Sequence, residues 1–273
     1  MDIDTDGVRR APDAEFANLT PLQVRTETHR RFSRRDDDMD AAVRDALTLT
    51  GTESVLDIGS GTGAFVQQLL EEGHTGRVIA LDISHAAYLA ARQVPGVEAI
   101  HASADDIPLP DGSVDVALSR HMLYHCSSPE AVVAECARVL AADGVFVATV
   151  NHARTVPMIR HVIETELAAM GLAPPRYTNW VTTATVAELL GRSFASVDVV
   201  RHDNELVFAE PGPLVRYATS LFTLYGADEN PATRQLLVDR VTARVEDWFG
   251  ASTEPWLEPK GYSVCTARGL LPV

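Results

Sequence analysis

The chain predicts an α/β fold, a doubly wound and mostly parallel sheet, from three observations. Short apolar runs and helical stretches alternate four times between residues 55 and 150, the pattern of repeated strand–helix–strand units. The first run, Val55 to Ile58, carries Asp57 near its end and passes through glycines at 59, 61 and 63 into a helix over Ala64 to Glu72. The second, Arg77 to Ile83, is apolar up to Asp82, as a parallel strand covered on both faces should be. Glycines let the chain turn sharply and let a ligand lie against the backbone, and the exposed amides of the helix start favour polar or anionic groups. An acid about 20 residues beyond such a turn suits ribose hydroxyls.

Each element follows from local signals. Residues 1–18 read as a disordered leader, poor in apolar residues. A helix fits 20–35 with Arg and His along one side, and a second fits 39–49, where Met39, Ala42, Val43, Ala46 and Leu47 recur at helical spacing. His29, Arg30 and Phe32 either close over the ligand or pack the sheet edge. Ser84 is placed to cap a helix over 85–93, Pro95-Gly96 breaks it, and 97–101 is a third strand. A loop over 102–113 leads to a fourth strand, 114–119. Ser128 and Pro129 open a helix over 129–140 and Asp143-Gly144 turns into a strand over 145–150. Beyond it, a helix over 155–170 stops at Gly171 and Pro174-Pro175, a short helix fits 185–190, and a strand fits 196–202. Helical stretches at 213–225 and 232–249 precede a last strand, 262–267. The expected organisation is a leader to 18, an N-terminal helical lid over 19–50, a ligand-binding core over 51–152, and the rest of the sheet over 153–273 with a helical cap at about 205–258.

Composition narrows the partners. With 46% apolar and 22% charged residues the chain is an ordinary globular protein, and its formal charge of −15 argues against nucleic acid. Basic residues gathered before residue 50 (Arg9, Arg10, Arg25, Arg30, Arg31, Arg34, Arg35, Arg44) are interleaved with acids such as Asp36, Asp37 and Asp38, so that stretch reads as a solvated amphipathic segment. Cys126, Cys136 and Cys265 form neither a metal-type pair nor a disulfide framework. The acidic start has no apolar signal core and no run of about 18 apolar residues occurs, so no membrane partner and a cytoplasmic protein are expected.

Val55-Leu-Asp-Ile-Gly-Ser-Gly-Thr-Gly63, Asp82, Ile107-Pro-Leu-Pro-Asp-Gly-Ser-Val-Asp115 and Glu135-Cys-Ala-Arg-Val-Leu-Ala-Ala-Asp-Gly144 stand in an order and spacing that resemble the class I S-adenosylmethionine-dependent methyltransferases of the small-molecule type. The resemblance covers about residues 50–150. It implies a Rossmann-like sheet of seven strands with the last antiparallel, and S-adenosyl-L-methionine as cofactor with no metal. By position, it implies that Gly59, Ser60, Gly61 and Gly63 lie against the methionine part and ribose. Asp57 would help hold the amino group, Asp82 the ribose, and Ile83 would pack on adenine. Where the family often has an acid for the adenine amino group this chain has Ser103, so Asp105 or Asp106 compensates, or apolar contact and the Ala104 amide suffice. Ser119 and Arg120 would border the methionine end.

Methyl transfer needs alignment of nucleophile, carbon and sulfur and a route for a proton. Candidate bases after the fourth and fifth strands are His121, His125 and His152, with Tyr124 and Asn151 beside them as acceptor contacts. A packing or capping role competes for each. Placed on one helix, His121 and His125 would share a face and could hold a metal, although no carboxylate accompanies them. Trp180, Tyr217, Phe222, Tyr225 and Trp256 either wall the acceptor pocket or form the cap's core. The reading is a methyltransferase acting on O, N or C of a small, secondary-metabolite-like molecule. An RNA methyltransferase and a non-catalytic S-adenosylmethionine-binding protein are the alternatives, and a homodimer is left open.

Overall fold

The computed structural model describes residues 19–173, 181–227 and 230–272. The leader over 1–18, Pro174-Pro175 and Trp180 lie outside them. Two compact units divide the chain.

The sheet unit, residues 38–153, 179–202 and 262–273, holds the ligand-binding elements. Its helices are α2 (Met39–Leu47), α3 (Ala64–Glu71), α4 (His85–Ala91), α5 (Pro129–Val139) and α7 (Val186–Leu190), with a single turn of 3-10 helix at Leu123–His125. The strands β1 (Val55–Ile58), β2 (Val78–Asp82), β3 (Val97–His101), β4 (Val114–Arg120), β5 (Leu140–Asn151), β6 (Phe194–Phe208) and β7 (Trp256–Leu270) form one seven-stranded sheet ordered β3-β2-β1-β4-β5-β7-β6. The pairs from β3 to β5 are parallel and β7 runs antiparallel to β5, as expected. β1 lies between β2 and β4, so the connections leave it in opposite directions, and ligands bind at such a switch point. β1 and β2 are buried at every position, which explains why they are apolar apart from Asp57 and Asp82.

Both sheet faces are covered. Leu56, Ile58, Ile79, Leu81, Val132, Cys136, Val139 and Phe146 belong to one core, and Val55, Phe65, Val66, Val78, Leu118 and Val147 to the other. Val43 and Leu47 of α2 join the second core, so α2 is part of the sheet unit and the division falls at 37/38, inside the stretch expected as one lid. Asp38 caps α2, Ser84 caps α4 and Ser128 caps α5, each accepting an amide hydrogen bond from the first turn. β5–β7 outrun their predicted lengths because ladder pairing, not apolar alternation, sets their ends.

The helical unit comprises residues 1–37, 154–178 and 203–261, including α1 (Leu19–Phe32), α6 (Pro157–Ala169), α8 (Pro211–Ser220) and α9 (Pro231–Ala251). Tyr217, Phe222, Tyr225 and Trp256 are all buried in its core. Of the two roles considered for these aromatics, the core role therefore holds: they pack in one buried cluster with Ile159, Phe208, Leu214, Leu237 and Val245. Phe32 stacks on Phe208, and His29 meets the Tyr217 hydroxyl at 3.1 Å. Glu258, wholly buried, accepts from the Met158 and Ile159 amides and Trp256 Nε1, closing the start of α6.

Candidate active site

The glycine turn opens at the C-terminal end of β1. All three glycines have positive φ (69°, 57° and 78° at 59, 61 and 63), a conformation costly for other residues. Their missing side chains serve different ends. A Cβ on Gly59 would stand 2.4 Å from Met122 Cγ, and one on Gly63 would stand 3.2 Å from Ala91 Cβ. At Gly61 nothing lies within 4 Å. Asp82 Oδ2 accepts the Gly61 N–H at 2.9 Å and Oδ1 the Ser84 N–H at 2.8 Å, so the acid at the end of β2 also shapes the turn. Ile83 beside it is 42% exposed, an uncovered apolar side chain, and its carbonyl meets His101 Nε2 at 2.9 Å. Ser103 donates to Asp105 Oδ1.

Asp57 is fully buried and bonded to Arg120 Nη2 at 2.9 Å. Arg120 also reaches Asp40 at 3.0 Å and lies 4.2 Å over the Phe65 ring. Burial raises the Asp57 carboxyl above its usual range, with Arg120 opposing it. Burial likewise works to lower Arg120, but Asp57 and Asp40 hold it above its ordinary value, so it is a permanent cation.

Asp57 Oδ1, Ser60 Oγ and Ser119 Oγ are buried without a hydrogen-bond partner. They lie at the ends of β1 and β4, where Ile58 and Ser119 are register partners, and in the turn between β1 and α3. Such atoms cost about 1–3 kcal/mol each until a polar ligand satisfies them. Together with the open side of Gly61, they fit a nucleoside with an amino-acid tail.

The second group of residues lies beyond β4 and β5. His121 follows β4 with φ of 52°, and its N–H donates to both the carbonyl and the hydroxyl of Thr149 at 3.0 Å. This left-handed residue precedes the 3-10 turn, so His121 and His125 do not share an α-helical face and the spacing argument for a metal falls away. Among the described residues no three or more metal-ligating side chains gather. The His121 ring lies 6.1 Å from Tyr124 and 6.2 Å from Tyr262, and Tyr124 lies 4.6 Å from His125. Asn151 Nδ2 donates to the Tyr124 hydroxyl at 3.0 Å, uniting the two acceptor candidates. His152 Nε2 meets the Tyr262 carbonyl at 3.0 Å, and His202 stacks on Tyr262 at 4.8 Å. Asp40, Thr149, His202 and Tyr262 were not identified from the sequence. The Asn151–Tyr262 register shows why: the antiparallel pairing joins residues 111 positions apart.

Residues 56–148 match a family model described as a methyltransferase domain. Over those residues the chain is similar to the class I S-adenosylmethionine-dependent methyltransferases, a family whose methyl donor is S-adenosylmethionine. Among curated relatives, a provisionally assigned S-adenosylmethionine-dependent methyltransferase of Mycolicibacterium smegmatis is 28% identical over 202 residues, 71% of this chain and 72% of that one. The malonyl-acyl-carrier-protein O-methyltransferase of Geobacter sulfurreducens is 33% identical over 96 residues, 34% of this chain and 36% of its own length. A match to a transposon protein of Streptomyces fradiae, 36% identical, likewise spans only 30% of that protein. Among solved structures, a provisionally described methyltransferase of an antibiotic biosynthesis pathway in Anabaena variabilis has a TM-score of 0.60 at 18% identity, covering 84% of this chain and 96% of that one. The SpnF cyclase has 0.55 at 18% identity, covering 96% and 98%. These likenesses show the fold alone. No described helix is long and apolar enough to cross a membrane.

Proposed function

We propose that the protein transfers the methyl group of S-adenosylmethionine to O, N or C of a small molecule in secondary metabolism, by in-line displacement with a histidine as base. The observation that carries this reading is His121, fixed by Thr149 between the Tyr124 and Tyr262 rings directly after β4. The bound cofactor supplies an electrophilic methyl and leaves as a neutral thioether, so the chain's task is alignment and proton removal. Asp82 holds the ribose, Ile83 the adenine face, and Ser103, Ala104 and Asp105 the adenine edge. Asp57, Ser119 and Arg120 set the amino-acid end, with Gly59, Ser60, Gly61 and Gly63 beneath it. Tyr124 and Asn151 orient the acceptor, and His121 takes its proton. His152 spends Nε2 on a carbonyl and His125 lies tilted against Tyr124, while His121 directly follows β4. The charge of −15 favours a small acceptor over RNA.

A crystal structure with S-adenosylhomocysteine tests this. The expected result is the His121 ring within about 3–4 Å of the space the methyl would occupy. If none of His121, His125 and His152 reaches that space, the base assignment is wrong. Failure to bind the cofactor product in calorimetry removes the whole reading.

A further inference from the structure

Asp40 stands in the first turn of α2, far in sequence from every motif of the site, yet its carboxylate meets Arg120 Nη1 at 3.0 Å. Arg120 Nη2 meets Asp57 at 2.9 Å, and Phe65 closes one face of the guanidinium. One cation therefore serves two carboxylates, and the cluster carries a formal charge of −1. Asp57 within it is wholly buried, with Oδ1 lacking a partner. A buried surplus charge with an unsatisfied acceptor is unfavourable by itself.

The geometry explains how Asp40 keeps that acceptor available. Arginine and carboxylate prefer a two-pronged pairing in which both nitrogens meet both oxygens. Asp40 holds the Nη1 end of Arg120, and Nε, on the same edge as the Nη2 that meets Asp57, is buried without a partner, so the guanidinium makes a single bond with Asp57. Without it the guanidinium is free to turn both prongs onto Asp57, which would give a neutral pair with no oxygen left over.

Resting on the reading of this site as the S-adenosylmethionine site, we propose that Asp40 is a positioning residue for the cofactor's amino-acid end. It restrains Arg120 so that Asp57 Oδ1 accepts from the α-ammonium, and it contributes the negative charge that the ammonium balances.

Calorimetry on the full chain tests the proposal with two probes, S-adenosylhomocysteine and 5′-methylthioadenosine, which keeps the nucleoside but lacks the amino-acid end. Asp40→Asn should weaken S-adenosylhomocysteine by about tenfold and 5′-methylthioadenosine by less than about twofold, the signature of a charge acting on the ammonium. Asp40→Glu, which keeps the charge, should recover most of the loss, and thermal melting of each variant checks the fold. Unchanged or tighter S-adenosylhomocysteine binding by Asp40→Asn overturns the proposal, because Arg120 would then be better used elsewhere. Equal loss of both probes also overturns it and leaves Asp40 a scaffold residue. Failure of the underlying site reading looks different: the unaltered protein would bind neither probe.

Discussion

Asp82 Oδ2 accepts the Gly61 amide at 2.9 Å, so the carboxylate read as the ribose ligand also holds the glycine turn. Its other oxygen takes the Ser84 amide. The proposed ribose ligand thus also shapes the turn. Asp82→Asn would turn an NH2 group toward one of those amides, donor against donor. We expect it to weaken S-adenosylhomocysteine by about 2 kcal/mol, roughly 30-fold, with a modest loss of melting temperature. Unchanged affinity in calorimetry would remove Asp82 from the site.

Gly59 and Gly61 separate folding from binding. Alanine at 61 adopts a left-handed backbone in open space, a cost of about 1–2 kcal/mol. Alanine at 59 bears the same backbone cost and also drives its Cβ into Met122 Cβ and Cγ, adding about 1–3 kcal/mol of overpacking. Urea unfolding should therefore rank the two variants with Gly59→Ala the less stable. Calorimetry should show Gly61→Ala well folded but weakened at least tenfold toward S-adenosylhomocysteine, since its methyl fills the open side of the turn. Binding equal to that of the unaltered protein would mean that no ligand lies against Gly61.

Most of the sheet was legible in the sequence because a parallel strand buried on both faces must be largely apolar, and Val55–Ile58 and Val78–Asp82 are, apart from Asp57 and Asp82. The family runs were legible for a related reason. Arg138 binds the Ile107 and Leu109 carbonyls, Asp111 and Glu135, while Glu135 accepts the Ile107 amide. The two runs clasp each other as one structural unit, and their polar residues do scaffold work. The cap aromatics were ambiguous in the sequence, since Tyr217, Phe222 and Trp256 have the chemistry of pocket walls whether they line a pocket or, as here, a core.

The expected cofactor residues were readable as a group because they lie on one continuous turn and the ends of neighbouring strands. The acceptor half was not. Thr149 and Tyr262 reach His121 through neighbouring strands, and Asp40 reaches Arg120 from a helix that reads only as amphipathic. A sequence records such residues without their register, and the left-handed backbone at His121 has no glycine to announce it.

At the opposite end of β1 from the glycine turn, Glu53 closes the tight turn that starts the sheet. Its carboxylate accepts from the Thr50 amide and hydroxyl, both at 2.7 Å, and from the Gly51 and Thr52 amides at 2.9 and 3.0 Å. Partial burial works to raise its pKa, but the Thr50 and backbone donors outweigh it and bring it down to about 2. A folded-state pKa depressed below the unfolded value of about 4.3 means that this stabilisation is fully present above about pH 5 and is lost as the pH falls through the window down to about 2. Glu53→Gln should cost about 1–2 kcal/mol at pH 7, a figure held down by solvent screening at a half-buried turn. The gap between the two proteins in denaturant unfolding should stay constant from pH 7 to about 5 and shrink by more than about half by pH 3. A gap that is unchanged at pH 3, or that widens on acidification, would show that the Glu53 charge does not hold this turn.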